Sequence, residues 1–264
     1  MRLRPSVRLA FWLPFAALSG CLREEFAPEP MLALTAARGS TVASRTLSVR
    51  DIEALGLEPV ATDWPFGPGR YEGVPVSKLL AAAGATSESN VAIFHCADGY
   101  SAYVPAGFFK RYPAAVVTRY DGRPPSRWPK RGGKPVGLYL GLPSAAYPEL
   151  AAPRWNALWA YQLVGLEAAR LENRLPPADA AHEPGRTLFV EQCIHCHAAA
   201  GAGGLKAPDL AAAARLHDKA SFAAYALRPA DKNPKTEMPA FDAILGPGEA
   251  ESIYGYLATL EARP

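Results

Sequence analysis

The spacing of apolar and polar positions divides the chain into three stretches of different character. The first is a basic start (Arg2, Arg4, Arg8), an apolar run from Leu9 to Leu18, and small residues before Cys21. That run is too short for a stable membrane-spanning helix and has the layout of an export signal over residues 1–20. The second stretch, residues 31–171, alternates short apolar segments with turn residues. Ser48 and Asp51 open a short helix through Leu55, and Pro75 and Ser77 open another over Lys78–Ala83, which Gly84 ends. Val91–Cys96 and Tyr100–Val104 read as strands joined at Asp98-Gly99, and Ala115–Tyr120 as a strand before a second tight turn at Asp121-Gly122. Phe108–Tyr112 reads as helix, and Val136–Leu140 and Leu158–Leu166 as further strands. Strands with short interspersed helices predict an α+β domain. The third stretch, residues 185–264, has helical periodicity: Ala250, Ile253, Tyr254, Leu257 and Leu260 fall along one face of a closing helix over Gly248–Leu260. An all-α domain is expected there.

Between the folded stretches lie two proline-bearing segments. Residues 21–30 read as a polar tether, and residues 172–184, with Pro176-Pro177 and Pro184, as a linker able to let the last domain reorient. His182 is expected to be a solvated loop residue there.

Composition adds little beyond this. The chain has 264 residues, 49% of them hydrophobic and 20% charged, which fits two globular domains. Its formal charge of +3 comes from Arg2, Arg4 and Arg8; without them the basic residues equal the 25 acidic ones. No nucleic-acid surface is expected.

Chemistry concentrates in Cys193-Ile194-His195-Cys196-His197. Two cysteines three positions apart with a histidine directly after the second form the attachment signature of c-type haem. On one helical turn both thiols can reach the vinyl groups of one porphyrin as thioethers, and the next residue carries its imidazole under the iron. The competing readings are half a zinc site and a redox dithiol. Zinc would want a second Cys/His pair at finger-like spacing, and the chain holds no second CxxC; a thioredoxin-type dithiol needs no trailing histidine. Of three methionines, only Met1, Met31 and Met238, the last is the candidate for the sixth iron position, with His217 as rival. His/Met ligation leaves no open iron site and favours the reduced state.

Residues 185–260 resemble a small monohaem cytochrome c. The resemblance rests on the attachment motif, on Ala207-Pro208-Asp209-Leu210 and on Glu237-Met238-Pro239-Ala240-Phe241. It implies that the Pro208 carbonyl accepts a hydrogen bond from His197 and that Met238 is the distal ligand. It also implies that the closing helix crosses the first helix, begun at Gly185–Phe189, near Phe189. Leu18-Ser19-Gly20-Cys21 resembles the lipobox of bacterial lipoproteins, implying cleavage before Cys21 and a diacylglycerol thioether on it; ordinary cleavage is the alternative. Leu22 after the cysteine, in place of aspartate, favours the outer membrane.

Residues 45–168 resemble the sulfite-oxidase-type molybdopterin domain. The resemblance rests on Tyr71–Leu80, Ala83-Gly84, Asp98-Gly99-Tyr100, Asp121–Pro125 and Gly133–Val136. Family enzymes hold molybdenum through a pterin and one protein cysteine upstream of the Val74-Pro75 helix. The matching region, Pro59–Trp64, has no cysteine, and Arg2 and Arg4 are not an adjacent twin-arginine pair. Molybdopterin is therefore not expected. Cys96 lies on a strand beside His95, facing the opposite way, and reads as a buried thiol, not as half of a copper site. Gly201–Gly204 reads as a flexible loop lacking the setting of a nucleotide fingerprint, and Arg131-Gly132-Gly133-Lys134 is not a P-loop.

The expected molecule is an exported, lipid-anchored electron carrier. It would hold one covalent haem c on Cys193 and Cys196, with His197 and Met238 on the iron, and exchange electrons with periplasmic redox enzymes or other cytochromes. The alternative is a molybdenum oxidoreductase with a fused haem acceptor.

Overall fold

The structure, a computed structural model, describes residues 28–38 and 41–260. The signal segment and Cys21 lie outside the described residues. Among those described, no helix is long and apolar enough to cross a membrane.

The chain begins with an antiparallel pair, β1 (Met31–Arg38) and β2 (Thr41–Ser48). A short helix α1 (Val49–Glu53) follows. Its start is the expected capping box: the Ser48 hydroxyl accepts from the Asp51 N–H, and the Asp51 carboxylate accepts from the Ser48 N–H at 3.0 Å. Next come β3 (Glu58–Pro59), β4 (Tyr71–Pro75) and helix α2 (Val76–Ala83), which Gly84 ends at φ 89°. Strands β5 (Val91–Cys96) and β6 (Ser101–Pro105), helix α3 (Phe108–Arg111) and strand β7 (Ala115–Tyr120) sit where the apolar pattern puts them. The last strands, β8 (Tyr139–Gly141) and β9 (Leu163–Ala169), start later than expected. Gly137 and Gln162 are the reason: their φ values of 64° and 54° break the extended run, and the Gln162 N–H is spent on the Val136 carbonyl.

These strands form two sheets, of order β2-β1-β9-β5-β6 and β3-β4-β7-β8. Only the β1–β9 pair is parallel in the first sheet. Even-numbered side chains of β5 and β6 (Ala92, Phe94, Cys96, Ala102, Val104) enter the N-terminal core with Leu32, Leu34 and Leu79. Odd-numbered ones (Val91, Ile93, Tyr103) join a second core with Phe189, Ile194 and Tyr256 from the C-terminal part. The first sheet is therefore covered on both faces at β5 and β6, and Val91–Phe94 is a continuous buried run.

The C-terminal part consists of helices α4 (Glu183–Leu188), α5 (Leu210–Leu216), α6 (Lys219–Leu227), α7 (Pro229–Lys232) and α8 (Pro247–Thr259), with a small β-pair between α4 and α5. Asp209 and Asp218 cap α5 and α6, accepting from Ala212 and Ser221 N–H groups at 2.9 Å each. Helix α8 crosses α4, with the Phe189 and Tyr256 ring centroids 6.1 Å apart. The contact is backbone-close: a Cβ on Gly185 would meet the Ser252 carbonyl oxygen at 1.9 Å. Tyr256 and not Tyr254 completes the fully buried face of α8.

The segment expected to be a reorienting linker is packed. Leu175 is fully buried in the second core, and the Pro176 carbonyl accepts from Arg186 Nε at 3.0 Å and from the Tyr256 hydroxyl at 3.1 Å. His182 lies against α8 and bonds Asp179 through Nδ1 at 2.8 Å. The prolines stiffen a strap tied down by carbonyl acceptors, so their number in the sequence did not signal freedom.

Candidate haem centre

Helix α4 runs into a π-turn over Phe189–Cys193, closed by the Ile194 N–H on the Phe189 carbonyl at 2.9 Å. The attachment motif continues from it in one turn: the Cys196 and His197 N–H groups reach the Cys193 carbonyl at 3.2 and 3.1 Å. This turn brings both thiols and the imidazole together, as their spacing requires. The thiols of Cys193 and Cys196 are unpaired and half buried. Burial pushes the Cys193 thiol up to about 12 and raises that of Cys196.

His197 Nδ1 lies 2.8 Å from the Pro208 carbonyl oxygen. A carbonyl can only accept, so Nδ1 carries the proton and Nε2 keeps its lone pair for a metal. Burial lowers the pKa of this ring below the ordinary histidine value, keeping it in the neutral, ligating form. The donor set thus suits a covalent haem: two thiols one turn apart and an imidazole of fixed tautomer. Met238 sits in the irregular segment between α7 and α8, half buried, its N–H bonded to the Thr236 hydroxyl at 3.1 Å. His217, the rival ligand, is exposed at the end of α5.

The glycine-rich segment after the motif is not a flexible loop. Ala198–Ala199 and Ala202–Gly203 pair as β10 and β11 around Ala200 and Gly201, both at positive φ, the signature of a primed two-residue turn. This hairpin lies directly on the motif: the Gly204 N–H bonds the Ile194 carbonyl at 2.8 Å, and a Cβ on Gly203 would meet the His197 carbonyl oxygen at 2.2 Å. Only glycine permits that approach.

One residue that ties the motif to the sheet escaped sequence reasoning. His195, the second variable position of the motif, is 1% exposed and joins the motif to β6. Its Nδ1 accepts the Tyr103 N–H at 3.1 Å, its Nε2–H donates to the Glu191 carbonyl at 3.0 Å, and its own carbonyl accepts the Ser101 N–H at 2.9 Å. Tyr100 stacks on the ring at 6.0 Å and 16°. Burial pushes the ring pKa down to about 4, consistent with a neutral imidazole that donates at one nitrogen and accepts at the other. Nearby, Leu205 N–H bonds the Gly99 carbonyl at 2.8 Å, Lys206 pairs with Asp98 at 2.5 Å, and the Tyr103 hydroxyl accepts the Gly203 N–H at 3.0 Å. The Asp98-Gly99 turn is therefore covered by the segment that follows the haem motif.

The N-terminal domain offers no comparable ligand set. Cys96 is 7% exposed in its core, and burial pushes its thiol up to about 12, so the thiol stays protonated. His95 points to the other face, with Nδ1 3.1 Å from the Ser101 hydroxyl and Nε2 3.4 Å from Glu167. Among the described residues, no three His, Cys, Asp or Glu side chains converge as a metal cluster. The segment Pro59–Trp64, where the resemblance would put a thiolate ligand, carries no cysteine, and Cys96 is packed in the core instead.

No curated protein matches the chain. Residues 180–257 match the family model of cytochrome c oxidase, cbb3-type, subunit III, and the C-terminal part of the chain is accordingly a cytochrome c domain, a haem-binding module of electron transfer.

Proposed function

We propose that the chain is an exported, lipid-anchored c-type cytochrome. It passes single electrons between periplasmic partners through one haem c, attached at Cys193 and Cys196 and ligated by His197 and Met238. The observation that carries this reading is the turn that unites both thiols with an imidazole whose Nδ1–H is committed to Pro208. Bound there, the haem supplies a one-electron iron couple. The chain's own residues do the rest. Pro208 holds the His197 proton at Nδ1 and strengthens the other nitrogen as a donor. Met238 would supply a thioether as the second iron ligand, which would favour ferrous iron and leave outer-sphere transfer as the available chemistry. Buried Ile194 and His195 keep water from the inner side of the motif.

Cys21 carries the lipid in this reading, with Leu22 directing the protein to the outer membrane. The N-terminal domain serves as a docking base for the haem loop and not as a molybdenum enzyme: the segment Pro59–Trp64 carries no cysteine, and Cys96 is packed in the core of the first sheet.

Intact mass of the native protein should show one porphyrin adduct, and the oxidised spectrum the weak near-infrared band of a sulfur–iron bond. Met238→Ala should abolish that band and lower the reduction potential while the adduct remains. A wild-type protein lacking the adduct would end the proposal, and molybdenum at one atom per chain would restore the enzyme reading.

A further inference from the structure

We propose that the loop from Asp121 to Lys134 is a membrane-facing surface that lays the protein against anionic lipid headgroups beside its anchor. The inference rests on the lipid-anchor reading of Cys21. Two independent observations carry it.

The first is where the chain enters the fold. The Ser126 hydroxyl donates to the Glu29 carboxylate, fastening the start of the described chain to this loop. Cys21 precedes Glu29 by eight residues in sequence. An extended chain covers at most about 3.5 Å per residue, so lipid on Cys21 lies within roughly 28 Å of the loop. The loop is therefore within reach of the surface that would hold the anchor.

The second is charge displayed on a stiff frame. Arg123, Lys130, Arg131 and Lys134 are exposed. The neighbouring acids are already engaged: Glu53 by Arg119, Glu72 by Arg70, Glu29 by Ser126, and Asp121 by the Arg70 N–H. The frame is pinned from beneath: Trp128 is buried and donates its indole N–H to the Arg123 carbonyl at 2.7 Å. Arg131 and Lys134 exchange backbone hydrogen bonds at 2.9 and 3.1 Å around Gly132 and Gly133, whose φ values of 56° and 78° make a primed turn. The Arg131 guanidinium lies 5.3 Å above the Trp64 ring. A pinned backbone fixes where these cations emerge, and a lipid chain plus a basic patch is the two-signal arrangement that makes membrane attachment durable.

The test uses the haem-loaded chain exported behind an unrelated cleavable signal so that it begins at Leu22 and lacks both lipid and signal, sedimented with vesicles at low ionic strength. It should pellet with phosphatidylcholine vesicles containing one-third phosphatidylglycerol, stay in solution with phosphatidylcholine alone, and be released by salt. Each cation near the surface contributes about fivefold, so R123Q/K130Q/K134Q should weaken binding on the order of a hundredfold with an unchanged melting temperature. Equal pelleting of the triple variant overturns the proposal. So does a chain that ignores the anionic vesicles but is retained by immobilised polyglutamate, which would assign the loop to an acidic protein. The anchor is read separately, from acyl mass on the mature wild-type N-terminal peptide; its absence would sink the lipid reading while the vesicle result judged the loop.

Discussion

His195 occupies a position that the attachment chemistry leaves open, yet it is the most committed side chain of the motif, with both ring nitrogens and its carbonyl bonded. His195→Ala would strand the Tyr103 N–H in a dry seam and empty the space under Tyr100. Leaving one buried donor unpaired costs about 1–3 kcal/mol, and the lost packing adds to it. The variant should still carry its haem, since Cys193, Cys196 and His197 are untouched, but melt several degrees lower by circular dichroism; an unchanged melting temperature would contradict the seam. The contrast with its neighbours shows what one sequence makes legible at this scale. The proposed attachment residues Cys193, Cys196 and His197 are singled out by their spacing, and the His197–Pro208 hydrogen bond by the resemblance of its surroundings, which also proposes Met238. His195 is set by a partner about ninety residues away, and no local spacing encodes that.

At the scale of elements, Val91–Cys96 and Ala115–Tyr120 were readable to the residue, because an apolar run ending at a turn has only one way to extend. The strands near Val136 and Leu158 were misplaced, because Gln162 adopts a left-handed φ that its residue type does not advertise. The β1–β2 pair was missed: β2 lies at the sheet edge with Ser44, Arg45 and Thr46 exposed, so it carries little apolar alternation. The closing helix was legible, but the tightness of its crossing was not. Gly185→Ala places a methyl against the Ser252 backbone and must push α4 from α8. Overpacking of this kind costs about 1–3 kcal/mol, or roughly 3–10 °C in melting temperature for a chain of this size. Thermal unfolding followed at the haem absorbance checks it.

At the scale of the whole molecule, two carboxylates stand at the face between the domains. Burial pulls the Asp98 carboxyl up, but the Lys206 ammonium and the Tyr100 N–H more than offset this and hold it below the usual range. Glu167 is likewise lifted by burial and lowered further by His95 and Arg174. A carboxylate whose folded pKa is depressed contributes stability that is complete above its unfolded pKa, near 4, and is lost as pH falls through the folded value. Acidification below about pH 4 should therefore loosen the seam, exposing the 172–184 strap to an acid-active protease. Asp98→Asn should bring that cleavage to higher pH; cleavage independent of pH in both proteins would refute the account. Whole-molecule organisation was the least legible level, because Val91, Ile93 and Tyr103 are apolar whether a second domain covers them or not. The closed strap has a kinetic consequence. In the proposed carrier, a haem fastened beside a sheet by main-chain bonds would not swing between a donor and an acceptor, so both would queue for one stationary edge. Turnover in such a carrier is limited by how quickly the first visitor departs, and crowding the solution with either partner slows the traffic.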